Sequence, residues 1–311
     1  MSLAIETVGL SKTYSGGVEA LTDLNMQVKS GESLGFLGPN GAGKTTTIQI
    51  LLNLIRQSRG MVYLFEQNIA GREREVLKDV GALVGMPGYY KSLTPDDILS
   101  HVGRVFGMSQ SLIRKRSTEV LDLVGIKDVR NRKVGKFSTG MKRRMGIAQI
   151  LVHDPSLIIL DEPTNGLDPK GVREVRDLIN EINKEGKTIF MTTHNLTEAD
   201  EISTRVIFLD KGRKIGDQPL KELRKQLGSR NIEVKFLRDL TSSELDALTD
   251  INSVTEVDIG DEIHLRYEGN GDTTYRILQE LVNNDYPVNY FRPMTLSLED
   301  IYLKLYKEDN S

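Results

Sequence analysis

A glycine-rich segment, GPNGAGKTT at Gly38–Thr46, carries residue types that suit a polyphosphate. It follows the short apolar run SLGFL, which predicts a buried strand, and opens onto TTIQILLNLI, which predicts a helix with one apolar face. Gly38, Gly41 and Gly43 allow backbone angles closed to residues with a Cβ atom, so the N–H groups of the loop can all point inward. The following helix adds the positive end of its dipole. The segment therefore predicts a phosphate-binding P-loop.

Two side chains of this loop have predicted roles of their own. The Lys44 ammonium would reach the β- and γ-phosphates, and the Thr45 hydroxyl would ligate Mg²⁺. An ordinary glycine turn before a helix is the alternative interpretation. It explains neither the Lys-Thr pair nor the strand that precedes the loop.

Two adjacent carboxylates, Asp161 and Glu162, end a second apolar run in SLIILDEP. Because ligands bind at the carboxyl ends of strands in α/β sheets, we expect this pair beside the glycine loop. Asp161 would hold Mg²⁺ through water, and Glu162 would polarise an attacking water as general base. The alternative is an N-cap followed by a solvated acid, which the unbroken apolar run disfavours because it buries the strand.

A histidine and a tyrosine are further candidates. His194 ends the next predicted strand, KTIFMTTH, where it could hydrogen-bond the γ-phosphate, although a structural role is the usual one for a lone histidine. Tyr14, in SKTYSGG, could stack on a nucleotide base, and spacing alone favours a surface or packing role instead.

A second helix start, FSTGMKRR at Phe137–Arg144, forms another potential anion site, because Ser138, Thr139 and Gly140 precede the helical MKRRMGIAQILV. Nothing obliges it to approach the glycine loop of its own chain. It would work best on a phosphate held by another subunit. Plain helix capping by Ser138 is the alternative, with the basic residues as a solvated face.

Composition excludes several classes of protein. The 311 residues suit one large domain and a smaller one, and 41 Lys and Arg against 44 Asp and Glu give a net charge of −3, which argues against a nucleic-acid-coating protein. The absence of cysteine excludes disulfides and thiolate metal sites. We see no signal peptide, and the apolar runs are too short to span a bilayer. Any membrane role is therefore expected to come through a partner.

The order of patterns predicts the architecture. Strands with turns over residues 3–37, and the strand–helix alternation that resumes at SLIILDEP, indicate an α/β domain with a mostly parallel sheet. Residues 94–150 look like an all-helical insertion, with Thr94 as N-cap. QPLKELRKQLG predicts a polar linker helix. Beyond it, a βαββαβ order ending in the helical SLEDIYLKLY suggests a small ferredoxin-like domain.

With these residues in place, the chain resembles the ATP-binding subunit of an ABC transporter. GPNGAGKTT looks like Walker A, LIILDEP like Walker B and FSTGM like the family signature LSGGQ. NGLD at Asn165–Asp168 looks like the D-loop, His194 like the switch histidine and Tyr14 like the adenine-stacking aromatic. The combination in this order is highly specific, whereas Walker A alone is shared by many NTPases.

The resemblance implies domain limits, cofactors and site residues. An ABC ATPase domain would span residues 1–217, with its P-loop core, mixed sheet and helical subdomain, followed by a linker at 218–229 and an accessory α+β domain at 230–311. ATP and Mg²⁺ are the implied cofactors. The resemblance implies catalysis by Glu162, His194 and Lys44, metal binding by Thr45 and Asp161, and nucleotide contacts from Tyr14, Gly38, Pro39, Asn40, Gly41, Ala42, Gly43, Lys44, Thr45, Thr46, Ser138, Gly140 and Asp168.

The resemblance also implies partners and a mechanism. Two subunits, identical or related, would associate head to tail, with each ATP between Walker A of one and the signature of the other. Closure on ATP would drive an integral membrane permease at the cytoplasmic face of the membrane. We expect no direct nucleic-acid partner. The segment GALVGMPGYY and the C-terminal extension look most like the branch that serves a separate permease exporting antibiotics, peptides or polysaccharide.

The sequence departs from the family pattern in two places. The signature has Thr139 where glycine is usual and Met141 where glutamine is usual, while Ser138 and Gly140 are kept. Gly85 falls where the family has its Q-loop glutamine, which contacts water and Mg²⁺ and senses the permease. Either a neighbour takes over that role or hydrolysis is slow.

Two other classes compete with the exporter subunit. A soluble ABC-type ATPase acting on ribosomes or nucleic acid usually carries two cassettes, a coiled coil or zinc modules, and this chain has one cassette, no long heptad run and no cysteine. A P-loop kinase or GTPase would leave FSTGM and His194 unexplained.

Overall fold

The computed structural model describes residues 2–86, 88–226, 230–259, 262–269 and 271–294. The chain divides into two compact units, Met1–Leu220 and Lys221–Ser311. Within the described ranges, no helix combines the length and the apolar character needed to span a bilayer.

The larger sheet of the first unit carries the alternating α/β pattern. Five of its strands run parallel, and the sixth pairs antiparallel at one edge. In spatial order the strands are β10 (Arg213–Pro219), β9 (Arg205–Asp210), β3 (Ser33–Leu37), β8 (Thr188–Thr193), β7 (Leu157–Asp161) and β6 (Val80–Leu83).

A second, antiparallel sheet is built from the N-terminal part of the chain. Its strand order is β2 (Glu19–Lys29), β1 (Leu3–Thr13), β4 (Arg59–Leu64) and β5 (Gln67–Asn68). The predicted mostly parallel sheet is thus accompanied by a separate antiparallel sheet. The helices that accompany them are α1 (Lys44–Leu51), α2 (Glu73–Val76), α6 (Pro169–Lys184) and α7 (Leu196–Ile202).

The helical insertion contains α3 (Pro95–Val105), α4 (Gln110–Leu123) and α5 (Thr139–Leu151). Thr94 is the N-cap of α3, as its sequence predicts, and it forms a reciprocal capping box with Asp97. The inward faces of these helices join one hydrophobic cluster with α6 and the larger sheet.

The two faces of the larger sheet bury different cores because side chains alternate along a strand. In β7, Ile158 and Leu160 belong to the cluster shared with the helical insertion and α6. Leu157 and Ile159 belong instead to the cluster that contains α1 and the antiparallel sheet. The unbroken apolar run of this strand is therefore explained by burial on both faces.

The second unit has its own small core. Its order is β11 (Arg230–Phe236), α9 (Ser242–Ala247), β12 (Val254–Ile259), β13 (Ile263–Tyr267), α10 (Gly271–Asn283) and β14 (Val288–Met294). The antiparallel sheet has the spatial order β12-β13-β11-β14, which is the predicted ferredoxin-like topology. The predicted terminal helix SLEDIYLKLY lies outside the described residues.

The predicted linker helix begins later than expected. Gln218 and Pro219 complete β10 by pairing with Val206 and Arg205, so helix α8 is limited to Leu220–Gln226 among the described residues. A proline is tolerated here because β10 is an edge strand. The sequence pattern predicted a polar helix here. Leu220 and Leu223 are buried, so the helix has an apolar side as well.

The capping box of α3 gives a test of this fold. Thr94→Ala leaves the first turn of the helix without its side-chain acceptor, and we expect the free energy of unfolding to fall by about 1 kcal/mol. Chemical denaturation followed by circular dichroism measures the change. Thr13→Ala, at an exposed threonine ending β1, is the control, and an equal loss in both variants would contradict the capping role.

Candidate functional site

The glycine loop connects β3 to α1 and is pressed against neighbouring backbone. A Cβ atom on Gly38 would lie 2.2 Å from the carbonyl oxygen of Leu209, so this position admits glycine alone. Gly43 has a φ of +107°, and a Cβ atom there would lie 2.5 Å from the carbonyl oxygen of Ala20. The loop therefore keeps its shape through contacts with β9 and β2, which explains two of its three predicted glycines.

Lys44 is the buried cation of the loop, with 6% of its surface exposed. Its Nζ donates to the carbonyl oxygens of Gly38 at 2.7 Å and Pro39 at 3.1 Å. Burial lowers the pKa of the Lys44 ammonium, while the carboxylates of Glu162 and Asp161 act in the opposite direction. Nζ lies 3.8 Å from Oε1 of Glu162. The predicted phosphate ligand and the predicted general base are therefore neighbours.

Asp161 ends β7 and joins the glycine loop to strand β8. Its Oδ2 accepts a hydrogen bond from the Thr45 hydroxyl at 3.3 Å, and its Oδ1 accepts one from the Thr192 hydroxyl at 2.6 Å. The two predicted metal ligands, Thr45 and Asp161, are thus in contact.

Glu162 follows in a left-handed backbone conformation, with a φ of +46°. Its N–H group donates to the carbonyl oxygen of Thr192 at 3.1 Å, which fixes the turn after β7. A non-glycine residue at such an angle is disfavoured and persists only where its surroundings impose it. The turn redirects the chain immediately after the two carboxylates.

The Glu162 carboxylate is held by two further side chains. Oε1 accepts from Nδ1 of His194 at 3.0 Å, and Oε2 accepts from Nδ2 of Asn165 at 3.1 Å. Because an ionised carboxylate only accepts, this pairing places a proton on Nδ1 of His194. The structure thus brings His194 to the carboxylates, as expected for a residue that follows the neighbouring strand.

Glu198, in the first turns of α7, was missed by the sequence reasoning. It is 4% exposed and accepts hydrogen bonds from the hydroxyls of Thr164 and Thr193, each at 2.6 Å. These threonines lie next to the segments that carry Glu162 and His194. Burial raises the pKa of Glu198, and the two hydroxyl donors oppose that shift. The available signal was an acid four residues after His194 in a segment of helical pattern.

The predicted signature residues and the predicted D-loop residue Asp168 line one cleft. Ser138 caps α5 by accepting from the N–H of Met141 at 3.3 Å, and Asp168 caps α6 by accepting from the N–H of Gly171 at 3.0 Å. With Thr139 and Gly140 they line an open cleft of about 430 Å³. Ser138 therefore caps α5, which is the alternative role that the sequence allowed for it.

Tyr14 follows β1 and lies beside the end of the glycine loop. Its hydroxyl oxygen is 3.3 Å from Oγ1 of Thr46, and the Lys12 ammonium lies 5.1 Å from the centre of its ring. The ring is exposed, at 38% of its surface, and lies at the end of the predicted phosphate-binding loop.

Comparison with known proteins gives the family. The ABC transporter family profile matches residues 21–165, and the profile of the C-terminal domain of DrrA1-3-like ATP-binding proteins matches residues 219–306. The bacitracin transport ATP-binding protein BcrA of Bacillus licheniformis is 41% identical over 227 residues, which is 73% of each chain. This chain belongs to the ABC transporter ATP-binding proteins.

Two further ABC proteins extend the likeness. The daunorubicin/doxorubicin resistance ATP-binding protein DrrA of Streptomyces peucetius is 36% identical over 233 residues, 75% of this chain and 70% of that one. The ATP-binding cassette MJ0796, a dimer in a post-hydrolysis state with ADP and Pi, superposes with a TM-score of 0.63 at 27% identity, covering 70% of this chain and 98% of that one. The predicted family, fold class and ATPase activity are confirmed.

Glu198 gives a test of the hydrogen-bonded site. Glu198→Ala removes the acceptor of two buried hydroxyls, and we expect the free energy of unfolding to fall by about 2 kcal/mol or more in urea denaturation. Glu181→Ala, at an exposed glutamate of α6, is the matched control and should have little effect. Equal stability of both variants would contradict a stabilising role for the two Glu198 hydrogen bonds.

The pH dependence of the same site has a definite sign. Because burial raises the pKa of Glu198, the folded chain keeps this proton to higher pH than the unfolded chain does. Its contribution to stability therefore declines as the pH rises above about 4.3, the ordinary value for glutamate. The stability of wild type relative to Glu198→Gln should fall over this range, and a rise would contradict the assignment.

Proposed function

We propose that this ABC ATPase binds Mg·ATP at Gly38–Thr46 and hydrolyses it with Glu162 as general base. One observation carries the proposal: the Glu162 carboxylate lies between the Lys44 ammonium, at 3.8 Å, and the His194 imidazole, at 3.0 Å. The Lys44 ammonium contacts the β- and γ-phosphates of the bound nucleotide. Glu162 then accepts a proton from the attacking water, and His194 orients the carboxylate and contacts the γ-phosphate.

The residues present fit Mg²⁺. The Thr45 hydroxyl and the Asp161 carboxylate are oxygen ligands of the kind that Mg²⁺ prefers, and they lie 3.3 Å apart at the end of the glycine loop. Thr45 would bind the ion directly and Asp161 would hold it through water. Bound Mg²⁺ would neutralise charge that develops on the β- and γ-phosphates.

The remaining nucleotide contacts follow from position. The backbone N–H groups of the loop, including those of Asn40 and Gly41, surround the phosphates, and Pro39, Ala42 and Thr46 border them. Tyr14, whose hydroxyl lies at Thr46, stacks on the adenine ring.

The cleft at Ser138–Gly140 is the site for the nucleotide of a second subunit. In the head-to-tail dimer, the start of α5 and the Ser138 hydroxyl meet the γ-phosphate held by the glycine loop of the partner. Asp168 lies in the same cleft and borders that nucleotide. A dimeric post-hydrolysis neighbour supports this arrangement. The partner is a second copy of this chain or a related ATPase subunit.

Coupling to transport requires a separate membrane permease, and the ATPase works at the cytoplasmic face of the membrane. A groove of about 310 Å³ is the surface proposed for the permease contact. Its lining is mainly aromatic and apolar and includes Tyr89, Tyr90, Leu93 and His101. Tyr90 is 80% exposed. The likeness to BcrA and DrrA, named for bacitracin transport and drug resistance, supports export as the direction.

The general base is tested by Glu162→Gln. The amide cannot take a proton from water, so we expect ATP turnover to fall by about 10²-fold or more with nucleotide binding retained. A phosphate-release assay and fluorescent-nucleotide titration measure the two quantities, and light scattering should show a dimer on ATP. Glu181→Gln is the matched control. A variant that still turns over, or that remains a monomer at saturating ATP, would contradict the proposal.

The permease contact is tested by Tyr90→Asp in tagged protein that is isolated from native membranes in mild detergent. Wild type should bring down a multi-spanning membrane protein in stoichiometric amount, and the variant should lose it while its ATPase activity in isolation is unchanged. Tyr275→Asp, at an exposed tyrosine of the second unit, is the control. Ribosomal partners in place of a membrane protein would overturn the exporter assignment.

A further inference from the structure

Arg143 is a buried cation that the proposed chemistry leaves without a role. It lies in α5, five residues after the Ser138 cap, and only 2% of its surface is exposed. Burying a guanidinium is unfavourable unless hydrogen bonds and opposite charges compensate. The position of those compensating groups therefore shows what the side chain does.

The hydrogen bonds of Arg143 go to two backbone carbonyls on different segments. One terminal nitrogen donates to the carbonyl oxygen of Gly85 at 3.0 Å, and the other donates to that of Asn165 at 3.4 Å. Nε has no hydrogen-bond partner among the described residues. A planar fork of donors suits two acceptors that come from different directions.

Each of the two segments belongs to the site. Gly85 follows β6, at the position where the family has its Q-loop glutamine. Asn165 follows Glu162 by three residues, and its side chain donates to Oε2 of Glu162 at 3.1 Å. The route from α5 to the general base is thus Arg143, the backbone of Asn165 and the amide of Asn165.

The charge of Arg143 also faces the site. Burial lowers the pKa of the Arg143 guanidinium, and the nearby carboxylates of Asp161 and Glu198 oppose that shift. Both carboxylates already hold groups of the active site through Thr45, Thr192, Thr164 and Thr193. The Arg143 guanidinium therefore lies in the field of Asp161 and Glu198, the two carboxylates next to the segments that carry Glu162 and His194.

Gly85 itself offers only backbone to this contact. Its φ of +67° lies in the left-handed region, and no atom lies within 4 Å of where a Cβ would be. A side chain on this residue would be strained by the backbone angle rather than by lack of space. The carbonyl that Arg143 binds is thus the polar group that this position presents.

We propose that Arg143 is a positioning residue, which links the signature helix α5 to the Gly85 segment and, through Asn165, to Glu162. Movement of α5 on closure of the dimer is passed to the general base through this one side chain. Gly85 has no side chain with which to contact the neighbouring segments. Arg143 makes that connection instead, by binding the Gly85 carbonyl from α5. This inference rests on the proposed hydrolysis by Glu162.

The test uses Arg143→Lys and Asn165→Ala, alone and combined, in the full-length chain. A lysine keeps the charge, but its ammonium lacks the fork that reaches two carbonyls. We expect kcat to fall by about tenfold or more, with ATP affinity nearly unchanged and each variant still folded at the assay temperature, since small displacements of catalytic groups have effects of this size. Arg130→Lys is the control. It removes a bidentate ion pair with Asp96 in the same helical region and should leave kcat unchanged.

The double variant separates a positioning role from a structural one. If Arg143 acts through Asn165, the combined loss of kcat is smaller than the product of the two single losses. Multiplicative losses, an unchanged kcat in Arg143→Lys, or a loss that matches the unfolded fraction would each overturn the link. Failure of the wild-type chain to hydrolyse ATP would instead reject the proposed function, so the two failures are distinguishable.

Discussion

One ammonium group beside two carboxylates is the constraint on which the first unit depends. Lys44 is almost fully buried, and a buried cation is tolerated only where carbonyl and carboxylate oxygens surround it. The loop carbonyls of Gly38 and Pro39 supply one part of that shell. Asp161 and Glu162 supply the other, from a distant part of the chain. The glycine loop, α1 and β7 must therefore come together for this lysine to be buried.

Strand β8 makes that meeting possible. It lies between β3, which leads into the glycine loop, and β7, which ends in the carboxylates. Parallel pairing aligns the ends of all three strands at one edge, with Thr193 opposite Leu37 and Thr192 opposite Asp161. The same strand then supplies His194 at its end. The sheet thus fixes the spacing of the site.

Shared polar partners join the segments around this edge. Thr192 bonds Asp161, Glu198 bonds the segments on either side of the site, and Arg143 reaches the Gly85 and Asn165 backbones. A buried polar group that loses its hydrogen-bond partner is costly in free energy. A shift of one segment therefore requires its neighbours to shift as well. A site built in this way is suited to an ATPase whose segments must respond together to nucleotide.

The sequence by itself determined the family, the two-unit order and the residues at the glycine loop and after β7. These features are local: glycine spacing, apolar runs that end in acids, and a Thr-Pro helix start are read within a few residues. The βαββαβ order of the second unit is equally local, and its strand pairing followed from the topology that this order favours.

Tertiary structure decided the rest. It decided that Gln218 and Pro219 extend an edge strand, that Glu198 clamps two threonines and that Arg143 is buried. In the sequence, Arg143 is one of three adjacent basic residues and resembles a solvated face. Its burial depends on carbonyls and carboxylates that lie near it only after β6, β7 and α5 have packed. The partners of Arg143 are distant along the chain and leave no local pattern, so its burial could not be predicted from periodicity or spacing.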